Sequence, residues 1–430
     1  MAFTSPRHLN LQLRCELGRR SVKEMLDIWP ELPIYIHAIS HLVGVETDDF
    51  LSAFGLNHRV SGIHLDGISG PRWEQQIAPL MQQPFPALTH LRVKPCHLIR
   101  KPISRSILGG SAPRLQDLRL WNVPFPALPE LLSSATDLVC LSYDGIPSSG
   151  YIPPQAMVTA LSALTRLESL SLTFRLESLP HRAIPPPDTR TLLPALTYLC
   201  FHGLPGYMEV LVAQIDTPLL ESMVITLFNQ EVLEVSELSK FVRRADRLSL
   251  VDRAAVTLKS SCISVTVSQE SLVGRVDPKT LILNALCPES HLRLSYLAQF
   301  CASCLPTLSP FEYLYICISP CYRQEDVMYD LDRKWLDLLR LFNTVKKLYL
   351  SEFVAPRVAQ ALRGLPAERV MEVLPALETV SILGLKHLEP VKEAISEFAD
   401  PRRLSGHPVF IRDWGGVVHY WESQGNGSRG

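Results

Sequence analysis

Leu115-Gln116-Asp117-Leu118-Arg119-Leu120 returns as Leu138-Val139-Cys140-Leu141-Ser142-Tyr143, and again as Leu167-Glu168-Ser169-Leu170-Ser171-Leu172. Each copy places an apolar residue, two others, an apolar residue, one other and a third apolar residue. Upstream the phrase is Val60-Ile63-Leu65 and Leu88-Leu91-Val93; downstream it is Leu196-Leu199-Phe201 and Leu220-Met223-Ile225. Three later copies are Phe311-Leu314-Ile316, Val345-Leu348-Leu350 and Leu377-Val380-Ile382. The first seven begin 28, 27, 23, 29, 29 and 24 residues apart, and the last three 34 and 32 apart. Near-constant steps of this size mark a structural repeat.

The last two apolar positions of the phrase lie two apart, so they face one side of a strand. The first brings the incoming turn down onto the same core. Amphipathic runs suited to helices fill the intervals, at 73–82, 156–165, 208–216, 294–305 and 334–342. One strand and one helix cannot bury their own leucines, so neighbouring units must stack. An ordinary α/β domain shares the alternation but would not repeat the same phrase at each strand. The expected fold is therefore an α/β leucine-rich-repeat-like solenoid, a concave parallel β-sheet backed by convex helices. A single solenoid is expected over 1–420, with an irregular β-rich segment at about 251–308 and a disordered tail at 421–430. In the irregular segment, 255–259 and 263–268 alternate around Ser260-Ser261 as a hairpin would, followed by a strand-like run at 280–287. Pro185-Pro186-Pro187 forces an extended loop.

Composition supports this reading. Leucine occurs 69 times in 430 residues and proline 34 times, which suits many short elements broken by turns. With 42 basic against 43 acidic residues, a general nucleic-acid binder is not expected. The longest charge-free stretch, 145–165, holds Pro147, Pro153 and Pro154 and does not suit a membrane span. The first twenty residues carry no continuous apolar segment of the secretory kind, and ten scattered cysteines are not a disulfide framework. An intracellular protein, cytoplasmic or nuclear, is expected.

No motif points to chemistry. Cys301, Cys304, Cys317 and Cys321 have a spacing reminiscent of zinc ligands, but two fall in a helical run and one ends a strand, so buried thiols are the expectation. Gly109-Gly110-Ser111 is not a nucleophile elbow, and there is no H-E-x-x-H, Walker loop or dinucleotide fingerprint. Glu325, Asp326, Asp330 and Asp332 read as a solvated acidic loop. Neither an enzyme nor a cofactor nor a metal is expected.

Binding is the remaining function class, and the repeat itself places the surface. The residue between the last two apolar positions points away from the core. That column reads His64, Arg92, Arg119, Ser142, Ser171, Cys200 and Val224, then Tyr315, Tyr349 and Ser381. A neighbouring column adds Lys94, Trp121, Asp144 and His202. Arg92, Lys94, Arg119 and Trp121 should meet as a basic patch beside an aromatic ring, suited to an acidic segment of a protein partner. Tyr315 and Tyr349 complete the candidate concave face.

Six stretches also carry a family resemblance: Asp27–Tyr35 (DIWPELPIY), Leu108–Trp121, Pro124–Ser142, Ser149–Thr173, Leu211–Gln230 and Leu404–Phe410. In order and spacing they resemble F-box and leucine-rich-repeat-like proteins of mushroom-forming fungi. The resemblance implies substrate recognition for a ubiquitin ligase, with an F-box docking on a Skp-type adaptor. Ahead of Thr4–Arg14 no Leu-Pro-x-Glu-led helical F-box is visible, so binding to the adaptor is expected only where an F-box is supplied upstream. The alternative is a structural or sensing scaffold unconnected to ubiquitin.

Overall fold

The computed structural model describes residues 13–16, 32–39, 53–175, 190–228, 235–249, 252–259, 262–268, 280–286, 293–304, 311–318, 332–385 and 388–414. The basic N-terminal residues around Arg7, the triple-proline loop, Ser260-Ser261, the cluster at Glu325, Asp326 and Asp330, and the tail at 421–430 lie outside them. The chain divides into two compact units, Met1–Leu219 and Leu220–Gly430.

The first unit contains β1 (Leu13–Glu16), β2 (Ile34–Ile39), β3 (Val60–Ile68), β4 (His90–Pro95), β5 (Asp117–Trp121), β6 (Cys140–Ile146), β7 (Ser169–Phe174), β8 (Thr191–Leu192), β9 (Tyr198–Gly203) and β10 (Ile215–Asp216). Strands β8 and β10 form a separate short parallel pair. The others stand in the order β1-β2-β3-β4-β5-β6-β7-β9, every neighbouring pair parallel. Register follows the phrase: Leu91 opposes Leu118, then come Leu141, Leu170 and Leu199. All five are buried in one layer, each worth about 1.5–3 kcal/mol of burial.

The turn that enters each strand also repeats. The amide of the phrase's first residue donates to the carbonyl three residues earlier: Leu88 to Phe85, Leu115 to Ala112, Leu138 to Ala135, Leu167 to Leu164 and Leu196 to Leu193. Those earlier residues are buried as well, so the apolar phrase extends one turn further upstream than the strand pattern alone indicates. Tyr143 fills a place taken elsewhere by leucine or phenylalanine. Its hydroxyl accepts the Phe125 amide at 2.9 Å and reaches the Gly150 carbonyl at 3.3 Å, so burial leaves it partnered. A Cβ at Gly150 would stand 2.5 Å from that hydroxyl, which is why glycine is needed there.

Helices Leu128–Leu132, Pro154–Leu161 and Pro205–Gln214 carry connections between strands and pack each on the next. The run at 73–82 differs from the single helix its periodicity predicts. It is a π-helical segment, Trp73–Ile77, followed by a short α-turn, Ala78–Leu80. Pro79 supplies no amide for a regular helix through this point.

The second unit contains β11 (Ser222–Phe228), β12 (Arg253–Leu258), β13 (Cys262–Ser268), β14 (Thr280–Leu286), β15 (Tyr313–Ile318), β16 (Lys347–Leu350), β17 (Thr379–Ile382) and β18 (Phe410–Asp413). Their order is β11-β14-β13-β12-β15-β16-β17-β18. The irregular segment is thus a three-stranded meander built into the sheet. Strand β13 is antiparallel to both neighbours, while β14 is parallel to β11 and β12 to β15. Helices Ser236–Arg244, Arg293–Cys304, Asp332–Arg340, Ala355–Arg363 and Glu389–Leu404 form one row, each packed on the next.

All thirty apolar residues of the ten phrases are buried, the most exposed being Phe311 at 5%. The alternate residues of β4, β7, β9 and β16 are only half-buried. Among the described residues one side of the strands meets the helices and the other is half-buried, with Ser222, Ala255, Ser268, Thr280 and Ser381 of the second unit buried on it. This is the α/β leucine-rich-repeat-like architecture. Among the described residues no helix is long and apolar enough to cross a membrane.

Candidate binding face

In the first unit, parallel register lines up the open-face residues in rows. One row reads His64, Arg92, Arg119, Ser142, Ser171 and Cys200. Before it stand His90, Asp117, Cys140, Ser169 and Tyr198, and after it come the facing pairs Asp66–Lys94, Trp121–Asp144 and Thr173–His202. Arg92 and Arg119 are brought side by side, as the phrase predicts, but Asp117 stands with them. One carboxylate oxygen of Asp117 meets Arg92 Nη2 at 2.6 Å and the other meets Arg119 Nε at 2.9 Å.

The basic patch is therefore a two-arginine clamp on one aspartate. Burial works against the Arg119 charge, but the hydrogen bond and charge of Asp117 outweigh it and raise the guanidinium pKa. Lys94 lies opposite Asp66 on β3, and the paired register of β4 with β5 ends at Val93 and Leu120, one residue before Lys94 and Trp121. Trp121 is half-buried and opposes Asp144, whose carboxylate accepts hydrogen bonds from Ser142 and Ser171. Over these three rows Arg92, Lys94 and Arg119 are matched in number by Asp66, Asp117 and Asp144, of which Asp117 holds both arginines and Asp144 is held by two serines. Sequence reasoning missed Asp117. The signal was its spacing from Arg119, two residues along one strand, which puts both side chains on the same face.

Burial first, and then the Asp117 charge, raise the pKa of the Cys140 thiol, and burial also raises Cys200. An activated cysteine needs the opposite shift. Of the zinc-like set, Cys301 and Cys317 are buried, and burial pushes the Cys317 thiol up to about 12. Cys321 and the Cys304 side chain lie outside the described residues. Among the described residues no three His, Cys, Asp or Glu side chains converge as a metal site.

The second unit's open face differs. Register sets Arg253, Tyr313, Lys347, Thr379 and Phe410 in one row, and Ala255, Tyr315, Tyr349, Ser381 and Arg412 in the next. Tyr315 and Tyr349, on neighbouring strands, stack with centroids 4.4 Å apart and planes 9° apart. The Trp414 ring meets Tyr349 edge-on at 5.4 Å and lies 6.1 Å from Tyr315. Burial first, and then the neighbouring Tyr349, push the Tyr315 phenol up to about 12. Tyr313 is flanked by cations from both adjacent strands, the Arg253 guanidinium 4.9 Å and Lys347 Nζ 5.1 Å from its ring centre. Nothing in the ten phrases signals Arg253, Arg412 or Trp414, because β12 and β18 lack the phrase.

No family model matches the chain, and no curated protein matches it. Among solved structures it is similar to the leucine-rich repeat-containing protein LegL7 from Legionella pneumophila, at 13% identity over 91% of this chain and 98% of that one, with a TM-score of 0.30. It is also similar to the structure of the TLR13–ssRNA13 complex, at 15% identity over 76% of this chain and 42% of that one, with a TM-score of 0.31.

Proposed function

We propose that the protein is a non-enzymatic recognition module that binds a protein partner on the open faces of its sheets. One observation carries the reading. The register that buries every leucine of the phrase also lines up arginine, tryptophan, tyrosine and serine side chains on the side of the strands opposite that core. Tyrosine, tryptophan and arginine are the side chains that dominate interface energetics. Residues Arg92, Lys94, Arg119 and Trp121 are the proposed contacts on the first unit's face, and Tyr315 and Tyr349 those on the second unit's face, each face taken by itself. Joined to an F-box and through it to a Skp-type adaptor, such a module selects substrates for a ubiquitin ligase, which is the role the fungal family resemblance implies.

The test is affinity purification with mass spectrometry of the native chain beside its Arg119→Glu and Trp121→Ala variants. Proteins bound through this face should be recovered with the native chain and reduced at least about tenfold with either variant. Trp121→Ala should melt close to the native chain; Arg119→Glu melts lower, because it sets a second carboxylate beside the buried Asp117, and both are compared at a temperature where circular dichroism shows them folded. Equal recovery by both folded variants would remove these residues from the site.

A further inference from the structure

We infer that the open face of the second unit is a docking site for an acidic peptide segment of a partner protein. The inference rests on the recognition reading above and gives the partner its chemistry. The two rows running through β11, β14, β13, β12, β15, β16, β17 and β18 hold the cations Arg253, Lys347 and Arg412. Among the described residues those rows contain no aspartate or glutamate. The nearest carboxylates flank the rows: Asp413 follows Arg412 on β18, and the others stand one residue before the rows, at the strand entrances. There Asp252 approaches Arg253 at 3.7 Å, Glu312 is taken by Lys346 at 2.7 Å, and Glu378 precedes Thr379. The first unit's rows mix cations with aspartates, whereas these two rows carry three cations and keep the carboxylates at the strand ends.

The aromatic geometry selects between the two anionic polymers that suit cations and rings. A single-stranded nucleic acid needs ring faces on which bases can stack. Here the stack takes up one face each of Tyr315 and Tyr349, Arg253 and Lys347 lie over Tyr313, and Phe410 at the edge of the row is the one ring among these four that is mostly exposed. Tyr313 therefore acts as a packed wall that holds Arg253 and Lys347 in place, and one mostly exposed ring, Phe410, is a small platform for stacked bases. What the tyrosines offer a ligand is hydroxyl groups and ring edges among charged donors, which suits carboxylates held by charge-assisted hydrogen bonds. Arg412, exposed on β18, would supply a planar two-toothed donor.

A phage-displayed library of random dodecapeptides, panned on the full chain and on its Lys347→Glu/Arg412→Glu variant, tests this. Peptides retained by the native chain should be enriched in aspartate and glutamate over the starting library. As synthetic peptides they should bind the variant about tenfold or more weakly by fluorescence anisotropy. Their affinity should also fall as salt rises. A matching melting temperature shows that the variant is folded, and Lys347→Gln serves in its place if it is not. Absence of acidic enrichment, or equal binding to native chain and folded variant, overturns the inference. Binding of a labelled oligouridylate that the same variant abolishes, without acidic peptide binding, also overturns it. If the acidic preference fails while the Arg119 and Trp121 variants still lose their partner, the charge assignment falls and the recognition reading stands.

Discussion

Replacing Arg402 with methionine lowers the stability of the second unit by about 3–5 kcal/mol, the cost typical of removing one side of a buried polar arrangement. Arg402 is fully buried in helix Glu389–Leu404, with its guanidinium against the Phe398 ring. It donates to four backbone carbonyls, Nη1 to Val370 at 3.2 Å and Val373 at 3.3 Å, Nη2 to Leu374 at 3.1 Å and Pro375 at 2.9 Å. Those carbonyls belong to the turn before β17, where Leu374 holds a φ of 49°. Methionine fills much of the volume and leaves all four acceptors without the donor they now share. Lysine does not restore the native value, because one ammonium cannot span the fan that a planar guanidinium reaches. Calorimetry should show the variant's transition lowered by roughly 10 °C. A methionine variant that melts with the native protein would mean that the staple contributes little.

The second large effect belongs to the repeat itself. Leu170→Ala in β7 should cost about 2–5 kcal/mol in the first unit, from lost burial plus the cavity left behind. Leu170 is wholly buried between Leu141 and Leu199. Glu168→Ala, two residues away on an exposed side chain, should change stability by less than about 0.5 kcal/mol. Urea titration followed by tryptophan fluorescence separates the two variants. A loss below about 1 kcal/mol at Leu170 would contradict the register that places it in the core.

The repeat was legible because its signal is local. Two apolar residues two apart, with a third just upstream, specify a strand and its entering turn whatever the neighbours are, and all ten copies lie where that rule puts them. Strand order in the meander was not legible. That β14 lies beside β11 depends on how the chain closes over the helices, which no local pattern carries. Charge pairing was half legible. The arginines' column followed from parity, but Asp117 lies one alternate place earlier, outside the phrase's apolar frame. Arg402 carried a readable sign. Val391, Ile395, Phe398 and Arg402 repeat at helical spacing, so the apolar stripe of that helix ends on an arginine.

The central claim is that the open face, and not the helical side, receives the partner. Hydroxyl-radical footprinting of the protein alone and saturated with a recovered partner reads this directly. Labelling should fall at Trp121, Tyr315, Tyr349 or Trp414 on the open faces. It should stay unchanged at Leu404, 86% exposed at the end of a helix, and at Leu192 in the separate β8–β10 pair. Protection at Leu404 and Leu192 with undiminished labelling of the four aromatic residues would place the partner on the other side and contradict the account.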